Sequence, residues 1–126
     1  GLLRSAEVGR VAVVDAGHPV IFPVNHAVHH ELIVFRTAEG TKYDATLKGG
    51  PVSFEIDDLD RHTRSAWSVI VTGWARIVTT PSLLAALEEL DLQPWSEHHK
   101  DSWVAIHPER ITGRRLVPAG DDEPQG

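Results

Sequence analysis

Apolar residues along this chain recur at every second position or in runs of three to four, and turn-forming residues break the pattern at short intervals. Val11 to Val14, Pro19 to Asn25 and Glu31 to Thr37 read as three consecutive strands, which suggests a meander. Asp15-Ala16-Gly17 forms the first turn, and His26-Ala27-Val28-His29-His30 reads as a hairpin turn. A fourth strand, Val52 to Ile56, leads into a charged turn from Asp57 to Arg64, and a long fifth strand runs from Trp67 to Val78. Trp103 to Val117 supplies the last strand or pair of strands. Leu83, Leu84, Leu87 and Leu90 fall at helical spacing behind Pro81 or Ser82, so Pro81 to Leu90 is predicted as a helix. Helical patterns also cover Leu2 to Val8 and the stretch from Thr41 to Lys48.

The expected fold is therefore mainly β, with about six strands and two or three helices. Such a sheet closes most economically into a small antiparallel barrel, because closure removes exposed edges. A barrel this small fills its interior with side chains, so a large ligand must lie in an outer groove. On a single small domain that groove is shallow. A second copy across a two-fold axis would deepen it and cover the apolar outer faces of the strands, which predicts a homodimer.

The segment Phe35-Arg36-Thr37-Ala38-Glu39-Gly40-Thr41-Lys42 carries the main chemical signal. It joins the apolar strand Leu32-Ile33-Val34-Phe35 to the helical pattern that follows. A strand-to-helix junction of this kind can aim hydroxyl donors, an ammonium and the unpaired N–H groups of a helix start at one point, as a phosphate requires. Thr37, Thr41 and Lys42 are the candidate ligands of an anionic cofactor, and Lys42 leads them.

Length and composition narrow the partners. At 126 residues the chain is one domain, taken as residues 1–117 followed by a loose acidic tail, 118–126. A net charge of -6 argues against nucleic acid or an anionic membrane as the main partner, since both are bound by clustered positive charge. The absence of cysteine removes thiolate nucleophiles, disulfides and cysteine-ligated metal, and is compatible with a reducing cytoplasm. No apolar run reaches the roughly 18 to 20 residues of a membrane helix. A cytoplasmic, soluble protein is the expectation.

Several ordered segments together carry a resemblance: Val8-Gly9-Arg10-Val11-Ala12, Pro23-Val24-Asn25, Phe35-Arg36-Thr37 with Gly40-Thr41-Lys42, Val52-Ser53-Phe54-Glu55-Ile56-Asp57, Trp67-Ser68-Val69, and Trp103 through Gly113-Arg114-Arg115-Leu116. From about Glu7 to Leu116 the chain resembles the pyridoxamine 5'-phosphate oxidase-like, FMN-binding split-barrel family, in its small actinobacterial-type form. The resemblance implies a six-stranded antiparallel split β-barrel, a homodimer, and an oxidoreductase that passes a hydride between FMN and a small organic substrate. It implies that Pro23, Val24 and Asn25 run beside the flavin ring. Arg36, Thr37, Thr41 and Lys42 would hold the phosphate and ribityl oxygens, and Ser68 would bond the cofactor. Trp67 is either a ring-stacking partner or a core anchor. Of Arg114 and Arg115, strand alternation sends only one toward the site, and Arg114 is the candidate. In such an enzyme the ring carries the redox chemistry, so no catalytic acid or base is required of the protein. The segment Pro23-Val24-Asn25 lacks the basic residues of true pyridoxamine phosphate oxidases, which argues against that substrate.

The remaining motifs point elsewhere or nowhere. His26, His29 and His30 cluster, but a hairpin turn does not fix ring nitrogens at a metal-binding separation, so no metal is assigned; His26 or His29 could line a substrate pocket. The chain holds no nucleophile elbow, Walker loop or Gly-x-Gly-x-x-Gly turn. Two alternatives keep the fold: a deazaflavin in place of FMN, and a non-catalytic module that stores or senses flavin or haem.

Overall fold

A computed structural model describes residues 8–38, 47, 49–90 and 101–118. Six strands lie among the described residues: β1 (Val8–Asp15), β2 (His18–His29), β3 (Leu32–Ala38), β4 (Pro51–Asp60), β5 (Ser65–Ile77) and β6 (Asp101–Leu116). One helix, α1 (Pro81–Glu88), lies among the described residues. Every pairing is antiparallel, and the strands close in the order β1-β2-β3-β6-β5-β4. The six-stranded antiparallel barrel expected from the sequence is therefore the observed architecture. The pattern Thr41 to Lys48, except for buried Leu47, and the tail beyond Pro118 lie outside the described residues.

Alternation along each strand builds two apolar layers. Inward positions Val11, Val13, Val24, Ile33, Phe35, Val52, Phe54, Ile56, Val69, Val71, Val104 and Ile106 fill the barrel. A second layer forms outside β3 and β6, where Val34, Trp103 and Ala105 meet Val78 and Leu87 beneath α1. Helix α1 starts at Pro81, whose missing N–H costs nothing at a helix start, and Leu83, Leu84, Leu87 and Leu90 face the sheet as their spacing predicts.

Three boundaries differ by more than two residues from the sequence reading. Val8 begins β1 rather than ending a helix. Strand β4 continues to Asp60 because Asp57, Asp58, Leu59 and Asp60 pair with Ser68, Trp67, Ala66 and Ser65, and the hairpin ladder carries a polar strand past the core. Strand β2 runs through His26 to His29, so the histidine segment is strand and the turn lies at His30-Glu31. His26 continues the inward series Val20, Phe22, Val24 and is only 5% exposed, with its ring edge-on to Phe54 at 4.9 Å.

Close approach explains one glycine. At Gly9 a Cβ would stand 3.0 Å from Ile56 Cγ2 and closer still to the Phe54 ring, so β1 crosses the core here only without a side chain.

Candidate functional site

Strands β2 and β3 form ladder pairs only from His29↔Leu32 to His26↔Phe35. Beyond that point β2 continues along β1 through Asn25↔Val8, Val24↔Gly9 and Pro23↔Arg10. Strand β3 continues along β6 through Arg36↔Trp103, Thr37↔Ser102 and Ala38↔Asp101. The segments Pro23-Val24-Asn25 and Arg36-Thr37 thus flank a split in the barrel wall, and five residues singled out from the sequence stand together there.

Orientation divides their work. Val24 is buried in the core, so only its backbone can meet a ligand, while Pro23 and Asn25 point outward. Arg36 also points outward, and its guanidinium lies 5.4 Å from the Trp103 ring centroid. Trp103 Nε1 donates in turn to Glu88 Oε1 at 2.9 Å, which ties the last turn of α1 to the tryptophan. Trp103 and Glu88 escaped the sequence reading as supports of Arg36; the pairing Arg36↔Trp103, which needs the β3–β6 register, is the only signal that reveals them. Alternation sends Thr37 to the opposite face of β3 from Arg36, so the two can meet one anion only where the strand ends. Thr41 and Lys42 lie outside the described residues.

The other sequence candidates belong to the far side of the sheet. Successive registers align Pro23, Arg10, Glu55, Ile70 and Thr112 in one row across β2, β1, β4, β5 and β6. Paired residues on neighbouring strands share a face, so this row lies on the outer surface. Ser68 and Arg114 pair with each other one step along it. From Pro23 to Ile70 the row crosses three strand spacings, about 14 Å at roughly 4.8 Å each. Trp67 turns the other way and packs against the barrel core, while its neighbour Arg115 joins it in a cavity of about 610 Å³ at the tip of the β4–β5 hairpin. Arg114, not Arg115, therefore shares the face of Ser68.

Charge on this outer face is partly neutralised. Arg10 bridges Glu55 Oε1 at 2.8 Å and Asp57 Oδ2 at 3.2 Å. Desolvation raises the Glu55 pKa above its ordinary value of 4.5, neighbouring Asp57 adds to the rise, and Arg10 opposes both. Among the described residues no three His, Cys, Asp or Glu side chains converge as metal ligands.

The sequence model for pyridoxamine 5'-phosphate oxidase matches residues 1–115. This chain belongs to the pyridoxamine 5'-phosphate oxidase family. An uncharacterized protein of Mycobacterium tuberculosis is 40% identical over 121 residues, covering 92% of this chain and 79% of its own length. A solved FAD-binding protein from Mycobacterium smegmatis superimposes with a TM-score of 0.80 at 39% identity, over 92% of this chain and 90% of that one. A FAD-binding protein from Mesorhizobium loti, at 20% identity and a TM-score of 0.74 over 92% and 89% of the two chains, shares the fold. The groups present suit a flavin: backbone and an amide beside the opening for ring heteroatoms, and a guanidinium with a hydroxyl for a phosphorylated chain.

Proposed function

We propose that this chain binds a flavin nucleotide along the β2–β3 split, at the interface of a homodimer, and serves an oxidoreductase reaction on a small organic substrate. The observation that carries this reading is the end of the β2–β3 ladder at His26↔Phe35, with Pro23, Asn25 and Arg36 turned outward around the opening. When bound, the flavin supplies hydride chemistry. The backbone of Pro23-Val24-Asn25 orients the ring edge, the Asn25 amide bonds it, and Arg36, Thr37, Thr41 and Lys42 hold the phosphate end. Ser68 and Arg114 close the groove from the partner copy, with Trp67 buttressing the strand that carries Ser68.

The dimer is supported by the outer sheet face, where Ile21 is 67% and Trp74 44% exposed in the single chain. Sequence motifs point to FMN, while the 39% identical Mycobacterium smegmatis protein is described as binding FAD, and that likeness favours FAD. Both share the ring, the ribityl chain and the first phosphate. A chain free of cysteine suits a reducing cytoplasm.

Parallel titration of the purified protein with FMN, FAD, a deazaflavin and haem, read by fluorescence quenching and visible absorbance, tests the proposal. Tight binding of either flavin supports it, and sedimentation of the complex as a dimer supports the shared groove. Preference for the deazaflavin moves the chain to the other reductase branch. Haem binding without flavin binding would overturn the reading.

A further inference from the structure

The outer face of β5 and β6 carries a group of side chains of which the flavin reading uses only Ser68 and Arg114. Register places Ser68 against Arg114, Ile70 against Thr112 and Thr72 against Arg110. Ile70, Thr72, Arg110, Thr112, Gly113 and Arg114 line a cavity of about 390 Å³. Arg110 and Arg114 are four residues apart on one strand, about 13 Å at roughly 3.3 Å per residue, with Thr112 midway on the same face. Each guanidinium ends a long side chain, so the two can converge over the Thr112 hydroxyl. Thr72 offers a second hydroxyl from the facing strand.

The electrostatics separate these arginines from Arg10. Arg10, on the same outer face, is held by Glu55 and Asp57. Among the described residues no carboxylate stands within ion-pair distance of Arg110 or Arg114. Two guanidiniums without a carboxylate partner among the described residues thus stand beside two hydroxyls, with Ile70 as an apolar wall. Charges that merely guard a strand edge need neither hydroxyls nor a cavity. A planar fork of N–H donors with adjacent hydroxyls is the donor set that phosphate oxygens take in two-point contacts.

We infer that this cavity is a second anion subsite, in which Arg110, Arg114, Thr72 and Thr112 hold a phosphate-type oxyanion. The inference rests on the flavin reading only for the source of that anion, which is either the second phosphate of a dinucleotide flavin or an anionic substrate.

Pyrophosphate, FMN and FAD are titrated calorimetrically into the wild-type chain and into Arg110→Ala, Arg110→Lys, Thr112→Val and the control Arg76→Ala. Arg110 and Thr112 are exposed, and unchanged thermal midpoints verify that the variants fold. Arg110→Ala is expected to weaken pyrophosphate binding about tenfold, with partial recovery in Arg110→Lys and no change in Arg76→Ala. If Arg110→Ala also weakens FAD but leaves FMN within twofold, the anion is the dinucleotide's second phosphate. If both flavins are unaffected while pyrophosphate binding falls, the anion belongs to the substrate. Pyrophosphate binding that depends on Arg110 in a chain that takes no flavin would sink the flavin reading and leave the subsite standing. Equal losses in Arg110→Ala and Arg76→Ala, or no Arg110 dependence for pyrophosphate and FAD, would overturn the subsite.

Discussion

The contact between Trp103 and Glu88 gives a prediction that links the helix to the split. Trp103 is 3% exposed, and its indole N–H donates to Glu88 Oε1 at 2.9 Å while its ring faces the Arg36 guanidinium at 5.4 Å. Hydrogen bonds to a charged group contribute about 1.5 to 3 kcal/mol when well buried. Glu88 is on the exposed side of α1, so solvent screens its carboxylate and the low end applies, about 1 to 1.5 kcal/mol. Trp103→Phe removes the N–H and some ring volume; Glu88→Ala removes the acceptor. Each single variant also carries losses unrelated to the bond, so the double-mutant cycle is the informative quantity. Urea denaturation of the wild type, both single variants and the double variant should return a coupling energy of about 1 kcal/mol. A coupling under about 0.3 kcal/mol would show that the bond does not hold α1 to the sheet. The same variants test the path to the site: Trp103→Phe should lower flavin affinity more than Glu88→Ala does, because only the former alters the surface on which Arg36 rests.

Other expectations are independent of that bond. Gly9→Ala should destabilise the fold by about 1 to 3 kcal/mol through overpacking against Phe54, and the second change Phe54→Leu should recover part of the loss in urea unfolding. An acid with a raised pKa binds protons more tightly when folded, so the Glu55 contribution is complete below 4.5 and fades as pH rises through its folded pKa. The thermal midpoint of Glu55→Gln should accordingly fall less than that of wild type as pH is raised from 4.5 toward neutrality; parallel curves would refute the desolvation argument. Lys42→Ala should weaken flavin binding by about 1.5 to 3 kcal/mol, the scale of a charge-assisted hydrogen bond, and unchanged affinity would remove Lys42 from the phosphate. Ile21→Glu should shift sedimentation from dimer to monomer, since it places a charge in the apolar outer face.

Period-two alternation made most of the barrel legible, because each strand buries one face and the core accepts only apolar side chains there. Legibility failed where another force set the boundary. Asp57 to Asp60 carry no apolar alternation, and only the hairpin ladder to Ser65–Ser68 extends β4 that far. In sequence His26 groups with its histidine neighbours, although the alternate positions Val20, Phe22 and Val24 point to it as the next inward residue. At the site, Pro23, Asn25, Arg36 and Thr37 were visible as residue types, but the split they flank depends on where two strands part, which no local pattern encodes. Arg110 and Thr112 stayed hidden because spacing of two along a polar strand means little until β5 supplies the opposite wall.

Strand β6 is the last of the six in the sequence, yet it stands between β3 and β5 and joins the two halves of the wall. During synthesis, then, β1 to β5 emerge with no means of closing: Ile33 and Phe35 await Ile106 and Val104, and β5 awaits the same strand on its other flank. Contacts between distant parts of the sequence are formed late and slowly. The nascent chain must keep the apolar flanks of β3 and β5 apart from other chains until β6 leaves the ribosome, which makes premature termination before Val104 an aggregation hazard rather than a mild truncation.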